Sequence, residues 1–483
     1  MPNTGSRGGP GPVRTIALVA AGALPWAQGP AVAGEWSINP SLEAAETYTD
    51  NVALAPPGEE EDEWITEVNP ALTVIGEGNR ADVRLDYRMQ NVFYADQTDS
   101  SATYHQLAAD ATGQVVPRTL HVDADTSYAQ QLISPADPVP TSNVTVSNNR
   151  TDVFTAGVSP YLMHRFGNYA QGQARYRYQR VEYGGESFDS ESYITSVYLE
   201  SGPRFEWWGW RLDGQNQRIT YDERPDTRFR QGRGELNVQV AKALQVFGSG
   251  GYEENEFERA GGQDEPDGTF WEAGFRWNPS RRTSLEAAMG ERYYGETKRA
   301  QLQHSTRHTT WSLSYREELT TLTQLASERQ VFVVPTEGED GELEPTLVSL
   351  EVPALTTEVY LSERYSGSVT IRSPKSTVNL SAFNDVRTFQ TSNETETTTG
   401  GNVSWVWEFG ARTRSDIGAN FLRREYRATD REDDLWFGHA RLIRDLRRNL
   451  EATLSYERTQ REIRGEGVDY RQNVVSLRAR LRF

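Results

Sequence analysis

The sequence predicts an all-β fold: an antiparallel transmembrane β-barrel of the outer-membrane kind, with about 22 strands. Three observations carry this. Apolar and polar residues alternate with period two over many runs. Short turns alternate with longer acidic links. The chain also finishes on VVSLRARLRF (residues 474–483), an alternating stretch that stops at an aromatic residue.

Composition narrows the classes first. The 483 residues are 36% hydrophobic and 25% charged. Beyond the amino-terminus no run approaches the ~20 apolar residues of a membrane helix. That excludes a helical membrane protein, but not a barrel, whose strands hide their apolar half in alternation. Cysteine is absent, so disulfides and thiolate metal sites are excluded. A net charge of −19 argues against nucleic acid as a partner, because phosphate binding needs a basic face. The start reads as a secretory signal over residues 1–33. Arg7 and Arg14 supply positive charge, TIALVAAGAL (15–24) an apolar core, and AVA (31–33) a small-residue cleavage site. The mature chain, 34–483, is then the barrel.

The strands follow in order. WSINPSLEAAETYT (36–49) is the first. In DVRLDYRMQNVF (82–93), Val83, Leu85, Tyr87, Met89 and Phe93 share one face, and Asp82, Arg84, Asp86, Arg88 and Gln90 the other. A helix would mix Asp86 into the apolar stripe, so this is a strand between a greasy medium and water. Leu120, Val122, Ala124 and Tyr128 repeat the pattern against His121, Asp123, Asp125 and Ser127. Trp271, Ala273, Phe275 and Trp277 do so against Glu272, Gly274 and Arg276. So do Val403, Trp405, Trp407 and Phe409, and later Leu450, Ala452, Leu454 and Tyr456.

Turns such as GEGN (76–79), RFGN (165–168), NPSRR (278–282) and SPKS (373–376) join neighbouring strands. APPGEEEDE and PTEGEDGELEP are longer acidic links. Short at one end and long at the other is how membrane barrels treat their periplasmic and outer ends, and an even strand number leaves both termini periplasmic. Aromatic residues near strand ends (Trp36, Trp64, Tyr94, Trp207, Trp208, Trp210, Tyr293, Tyr294) are expected to form interfacial girdles. On the last strand Phe483, Leu481, Leu477 and Val475 face lipid and form a candidate signal for the outer-membrane assembly machinery. Exposed in water, such a strand is an aggregation hazard; closing against the first strand removes both edges.

ETYTDNV (46–52), RLDYRMQNVFYA (84–95) and GERYYGETKRAQLQHSTRHTTWSLSYREELTT (290–321) together resemble the outer-membrane barrels associated with the PEP-CTERM/exosortase system. The resemblance covers most of the mature chain in layout, and its third stretch is the specific one. It implies a Gram-negative outer-membrane location and a setting beside exopolysaccharide synthesis and export machinery. It implies no catalytic residues.

Chemistry finds little foothold. His304 and His308 have the i, i+4 spacing that binds metal on a helix, but on a strand they lie ~13 Å apart. HSTRH offers His304 and Ser305 to a barrel hydrolase without naming an acid partner. EEED (59–62) and EGEDGELE (337–344) lack EF-hand spacing and read as solvated loops. No enzyme, cofactor or metal is expected.

The inward face is the informative surface. Asp82, Arg84, Asp86, Arg88, Glu272, Arg276, Arg478, Arg480 and Arg482 are the candidate lumen lining. Arginine rather than lysine favours fixed bidentate pairing, which either presents sites to hydroxylated or anionic solutes or merely ties strands together. A bore of this size needs narrowing, and no plug domain is evident before the first strand. Glu337, Glu339, Asp340, Glu342 and Glu344 mark a candidate pore-mouth loop, whose removal over 336–344 should raise conductance. The expected function is a polar conduit with an exopolysaccharide, its export proteins or a small hydrophilic solute as partner. The alternatives are a docking barrel that anchors surface polymer or proteins without transport and, third, a barrel hydrolase.

Overall fold

The computed structural model describes residues 34–185, 189–222, 224–259, 261, 266–321, 336–337, 343–344 and 356–483. The expected signal peptide lies outside them. The first third of the barrel comprises β1 (Glu35–Thr49), β2 (Glu63–Glu77), β3 (Ala81–Tyr94), β4 (Ala102–Val116), β5 (Leu120–Leu132), β6 (Arg150–Phe166) and β7 (Ala170–Tyr183). Next come β8 (Ser190–Ser201), β9 (Trp208–Tyr221), β10 (Thr227–Ala241), β11 (Leu244–Glu256), β12 (Asp267–Ser280), β13 (Thr283–Arg292), β14 (Gly295–Ser305) and β15 (Thr309–Thr320). The last are β16 (Tyr360–Ser373), β17 (Ser376–Phe389), β18 (Thr395–Gly410), β19 (Thr413–Tyr426), β20 (Arg431–Arg447), β21 (Leu450–Arg464) and β22 (Tyr470–Arg482).

They form one 22-stranded antiparallel sheet in which each strand pairs with its chain neighbours. β22 returns to β1 in the register Leu42↔Leu481, Glu43↔Arg480, Ala45↔Arg478, so the barrel closes without an edge. The closing pair is the one expected from the alternation of both ends. A two-residue ladder joins Thr336–Glu337 to Leu343–Glu344, and the helical content of the described residues is one 3-10 turn, Thr98–Ser100.

Alternation sorts every strand into two faces. Outward stand Trp36, Leu454, Leu477 and the ring stack Trp405, Trp407, Phe409, with centroids 5.2 and 5.1 Å apart. Inward stand hydrogen-bonded polar groups such as Glu43, Gln90 and Thr398. An apolar exterior around a polar interior inverts a soluble protein and fits a bilayer. Where rings also fill the inside, glycine makes room: a Cβ on Gly400 would stand 2.4 Å from the Phe383 ring.

Connections are short at the end carrying both termini, for example 78–80, 167–169, 281–282 and 374–375. At the other end lie 50–62 and 133–149. By the habit of outer-membrane barrels the short end faces the periplasm. One seam relaxes near the long end: β4 and β5 pair only from Leu107↔Tyr128 downward. Above that point the Gln130 amide donates to His105 O at 3.2 Å, beside the place where 133–149 leaves the wall.

One girdle expectation needs correction. Tyr94 is 4% exposed and points inward, where its hydroxyl donates to Val144 O at 2.9 Å. The cause is local: β3 ends against loop 133–149, which offers that ring a dry niche and an acceptor. Trp36, Trp64 and Trp207 are outward and exposed, and Tyr293 and Tyr294 make the tight turn between β13 and β14.

Candidate functional site

The site is the barrel interior, and its shape is set by loop 133–149 folding into it from the outer end. The loop contains Pro135, Pro138 and Pro140, which remove backbone donors and keep it out of any ladder. Asn149 ties its base: Ser134 N–H donates to Asn149 Oδ1 at 2.8 Å, and Asn149 Nδ2 donates to Ser134 O at 2.6 Å and Pro138 O at 3.0 Å.

Far-wall strands hold the loop's first half. Arg461 on β21 donates to Pro135 O at 3.0 Å, Ala136 O at 2.9 Å and Asp137 O. Arg431 on β20 also reaches Ala136 O. The Tyr470 hydroxyl on β22 accepts from Val139 N–H at 3.1 Å and donates to Val139 O at 3.2 Å. Asp433 lies 2.6 Å from Arg461 and 2.8 Å from Arg431, which balances the buried charge. A buried ion pair is sound only when its spare donors find acceptors, and here the loop carbonyls supply them.

The second half is held by the near wall. Asn143 donates to Gln90 Oε1 at 3.0 Å and Gln130 Oε1 at 3.2 Å. Arg150 donates to Ser142 O at 2.7 Å and Thr145 O at 2.9 Å, and Val146 N–H donates to Val52 O at 2.8 Å. Two apolar clusters flank the crossing. Val139 sits with Leu54, Leu422, Leu435 and Tyr470, and Val144 with Val52, Ile65, Val92 and Tyr94. Buried hydrophobes inside a polar barrel mark a loop seated by packing as well as hydrogen bonds.

The predicted lining residues fall into separate groups. Arg88, Arg478 and Arg480 converge on Glu43 beneath the loop, at 2.7, 3.2 and 2.8 Å. Arg84 lies 2.8 Å from Asp86, whose Oδ1 accepts from the Thr73 hydroxyl at 2.7 Å. Asp82 accepts from Gly78 N–H at 3.2 Å at the short-turn end. Arg482 lies 3.9 Å from Glu451. On the opposite wall Glu272 takes Arg299 at 2.9 Å and Arg233 at 3.3 Å. Arg276 there joins Glu235 and Glu286 and lies over the Phe247 ring. Those strands, with Arg211 and Asp213, bound a polar hollow of about 750 Å³.

At the carboxy-terminus Val475, Leu477 and Phe483 are exposed on the outer face, Leu481 pairs with Leu42 and Leu450, and Phe483 N–H donates to Pro40 O at 3.0 Å. Glu337 and Glu344 belong to the two-residue ladder. Glu339, Asp340 and Glu342 lie outside the described residues. His304 shares a 2.9 Å hydrogen bond with the Thr283 hydroxyl, not with a carboxylate, and His308 is in the following turn. No group of three metal-ligating side chains occurs among the described residues.

Strand alternation alone does not reveal loop 133–149 as an in-folded element. Its signal is compositional: ISPADPVPTSNVTVSNN is long, proline-punctuated and poor in charge, unlike the acidic links.

A protein family described as Putative beta-barrel porin 2 matches residues 26–197, a span that includes the in-folded loop. Among solved structures, the FrpB iron transporter from Neisseria meningitidis is similar with a TM-score of 0.50 and 8% identity, over 92% of this chain and 82% of that one. The siderophore receptor PirA from Acinetobacter baumannii has a TM-score of 0.49 and 8% identity, over 92% and 80%. No curated protein matches the sequence. At such identity the likeness to FrpB is one of fold. Closed topology, an apolar exterior and the porin-family match agree on one thing. This is an outer-membrane β-barrel of porin-like build.

Proposed function

We propose that the protein is a passive conduit for hydrophilic solutes across the outer membrane, narrowed by loop 133–149. The observation that carries this is the interior itself: paired arginines and carboxylates line a polar hollow, while a tethered loop crosses only part of the bore. Paired charges leave the wall wet and nearly neutral, which excludes apolar solutes and suits hydroxylated or acidic ones. The resemblance of residues 46–52, 84–95 and 290–321 to barrels of the PEP-CTERM/exosortase setting supports an exopolysaccharide, or material released from one, as cargo. Lipid then covers the outer face, and the assembly machinery reads Phe483 with Leu481, Leu477 and Val475.

A second reading, a docking barrel without transport, draws on the two apolar clusters that seal one side of the outer mouth. Liposome swelling separates the two. Proteoliposomes diluted into isotonic glucose or a trisaccharide are expected to swell, faster for the smaller sugar. Vesicles that stay unswollen with correctly folded protein would favour docking.

A further inference from the structure

Beneath loop 133–149 the charges do not cancel. Glu43, 3% exposed, is the single carboxylate on which Arg88, Arg478 and Arg480 converge. A carboxylate offers about four acceptor sites, whereas three guanidinium groups bring roughly fifteen N–H donors. Two donors show the mismatch. Arg88 Nη1 is buried with no hydrogen-bond partner, and Arg478 Nε lies 3.2 Å from Glu43 without the alignment to donate. The next carboxylate, Glu67, takes its hydrogen bonds from neutral amides, Gln90 at 2.7 Å and Asn69 at 3.3 Å, so it adds negative charge without satisfying the spare arginine donors.

Arg88, Arg150, Arg441, Arg478 and Arg480 therefore stand against Glu43, Glu67, Glu451 and Glu457, an excess of one positive charge at a place that is 5% exposed at Arg88. Uncompensated buried charge is costly, and a bound anion relieves it. Space exists for one. A chamber of about 120 Å³ is bounded by Arg88, Arg478 and Arg480 below and by residues 140–144 of the loop above, and Glu67, Glu451, Glu457, Arg150 and Arg441 complete its charged lining. That is room for about four waters at ~30 Å³ each, enough for a carboxylate or phosphate group but not for a whole sugar chain.

We propose that this chamber is an oxyanion subsite, in which Arg88 and Arg478 hold the carboxylate or phosphate group of a passing hydrophilic solute. The inference rests on the conduit reading and names its cargo class as acidic. The solute's anionic group would enter from the hollow under the loop, take the donors that Glu43 leaves unused, and depart without chemical change.

The test is single-channel recording of the full chain in planar bilayers, with galacturonate, inorganic phosphate and galactose added in turn. Galacturonate, phosphate or both are expected to reduce the current saturably, one arm marking a carboxylate and the other a phosphate source. Galactose at equal concentration is expected to do so far less. Arg478→Gln should raise the half-blocking concentration about tenfold, the loss of one charge-assisted contact, and Arg478→Lys should raise it less. Should Arg478→Gln fail to assemble, Glu67→Gln asks the same question with opposite sign, since removing a nearby negative charge should tighten the block. Block that is equal for galactose, or unmoved by these substitutions, overturns the subsite. Current without any anion block refutes the subsite alone, whereas no current at all refutes the conduit.

Discussion

Arg461 is 2% exposed at its side chain and sends its donors to Asp433 and to three consecutive loop carbonyls. Removing it leaves a buried carboxylate with one partner fewer and three carbonyls to re-solvate. Arg461→Ala is therefore expected to cost about 3–5 kcal/mol of barrel stability, read from urea unfolding in detergent. A loss within the noise of an exposed substitution would mean the loop is not seated as described. A gentler effect belongs to Glu60, in loop 50–62. Its own backbone N–H and that of Gly58 hold its carboxyl below the usual range. A depressed value stabilises the ordered loop at higher pH, and that contribution is lost as pH falls through the folded value. The protection of the Val52 amide, which donates to Glu61 O at 2.9 Å, taken relative to the intrinsic exchange rate at each pH, should then fall as the pH drops below the usual glutamate range and stay level near neutrality. Alternation assigns Arg480 a face but not a partner. That Glu43 stands opposite depends on the register across the closing seam, which neither strand encodes alone.

Strands were the most legible elements, because their period repeats within ten residues and needs no distant partner. The start of β1, the span of β3 and the closing pair β1–β22 all follow from which residues alternate. Loop 133–149 was not legible as an in-folded element for the opposite reason. Its sequence shows irregularity, but its position depends on Arg461, 326 positions from Pro135, and on Tyr470, 331 from Val139. Tyr94 was misplaced by the same gap, since only the seated loop turns it from a girdle residue into a buried one. At this scale the outer face of β22 offers a clean test. Leu477 is 60% exposed on that face, so Leu477→Arg should cost about 2–4 kcal/mol if it lies at mid-bilayer depth. Folding yield into lipid vesicles, compared with Leu477→Ala, measures it, and equal yields would place the residue outside the apolar belt.

A 22-stranded wall encloses far more space than side chains alone can fill. The molecule reduces that space unevenly. One side carries the crossing loop and its two apolar clusters, and the other keeps the hollow bounded by Arg211, Arg233, Arg276 and Arg299. The strand number and closure were readable from counting alternations, because each hairpin adds a unit of the same kind. The asymmetry of the interior was not, because among the described residues it arises from one loop. The most direct measurement is the single-channel conductance of the full chain beside a variant in which residues 136–145 are replaced by a short glycine–serine bridge. The intact protein is expected to conduct and the variant to conduct several-fold more, with folding intact by circular dichroism. Equal conductance in the two, or none in either, would contradict it.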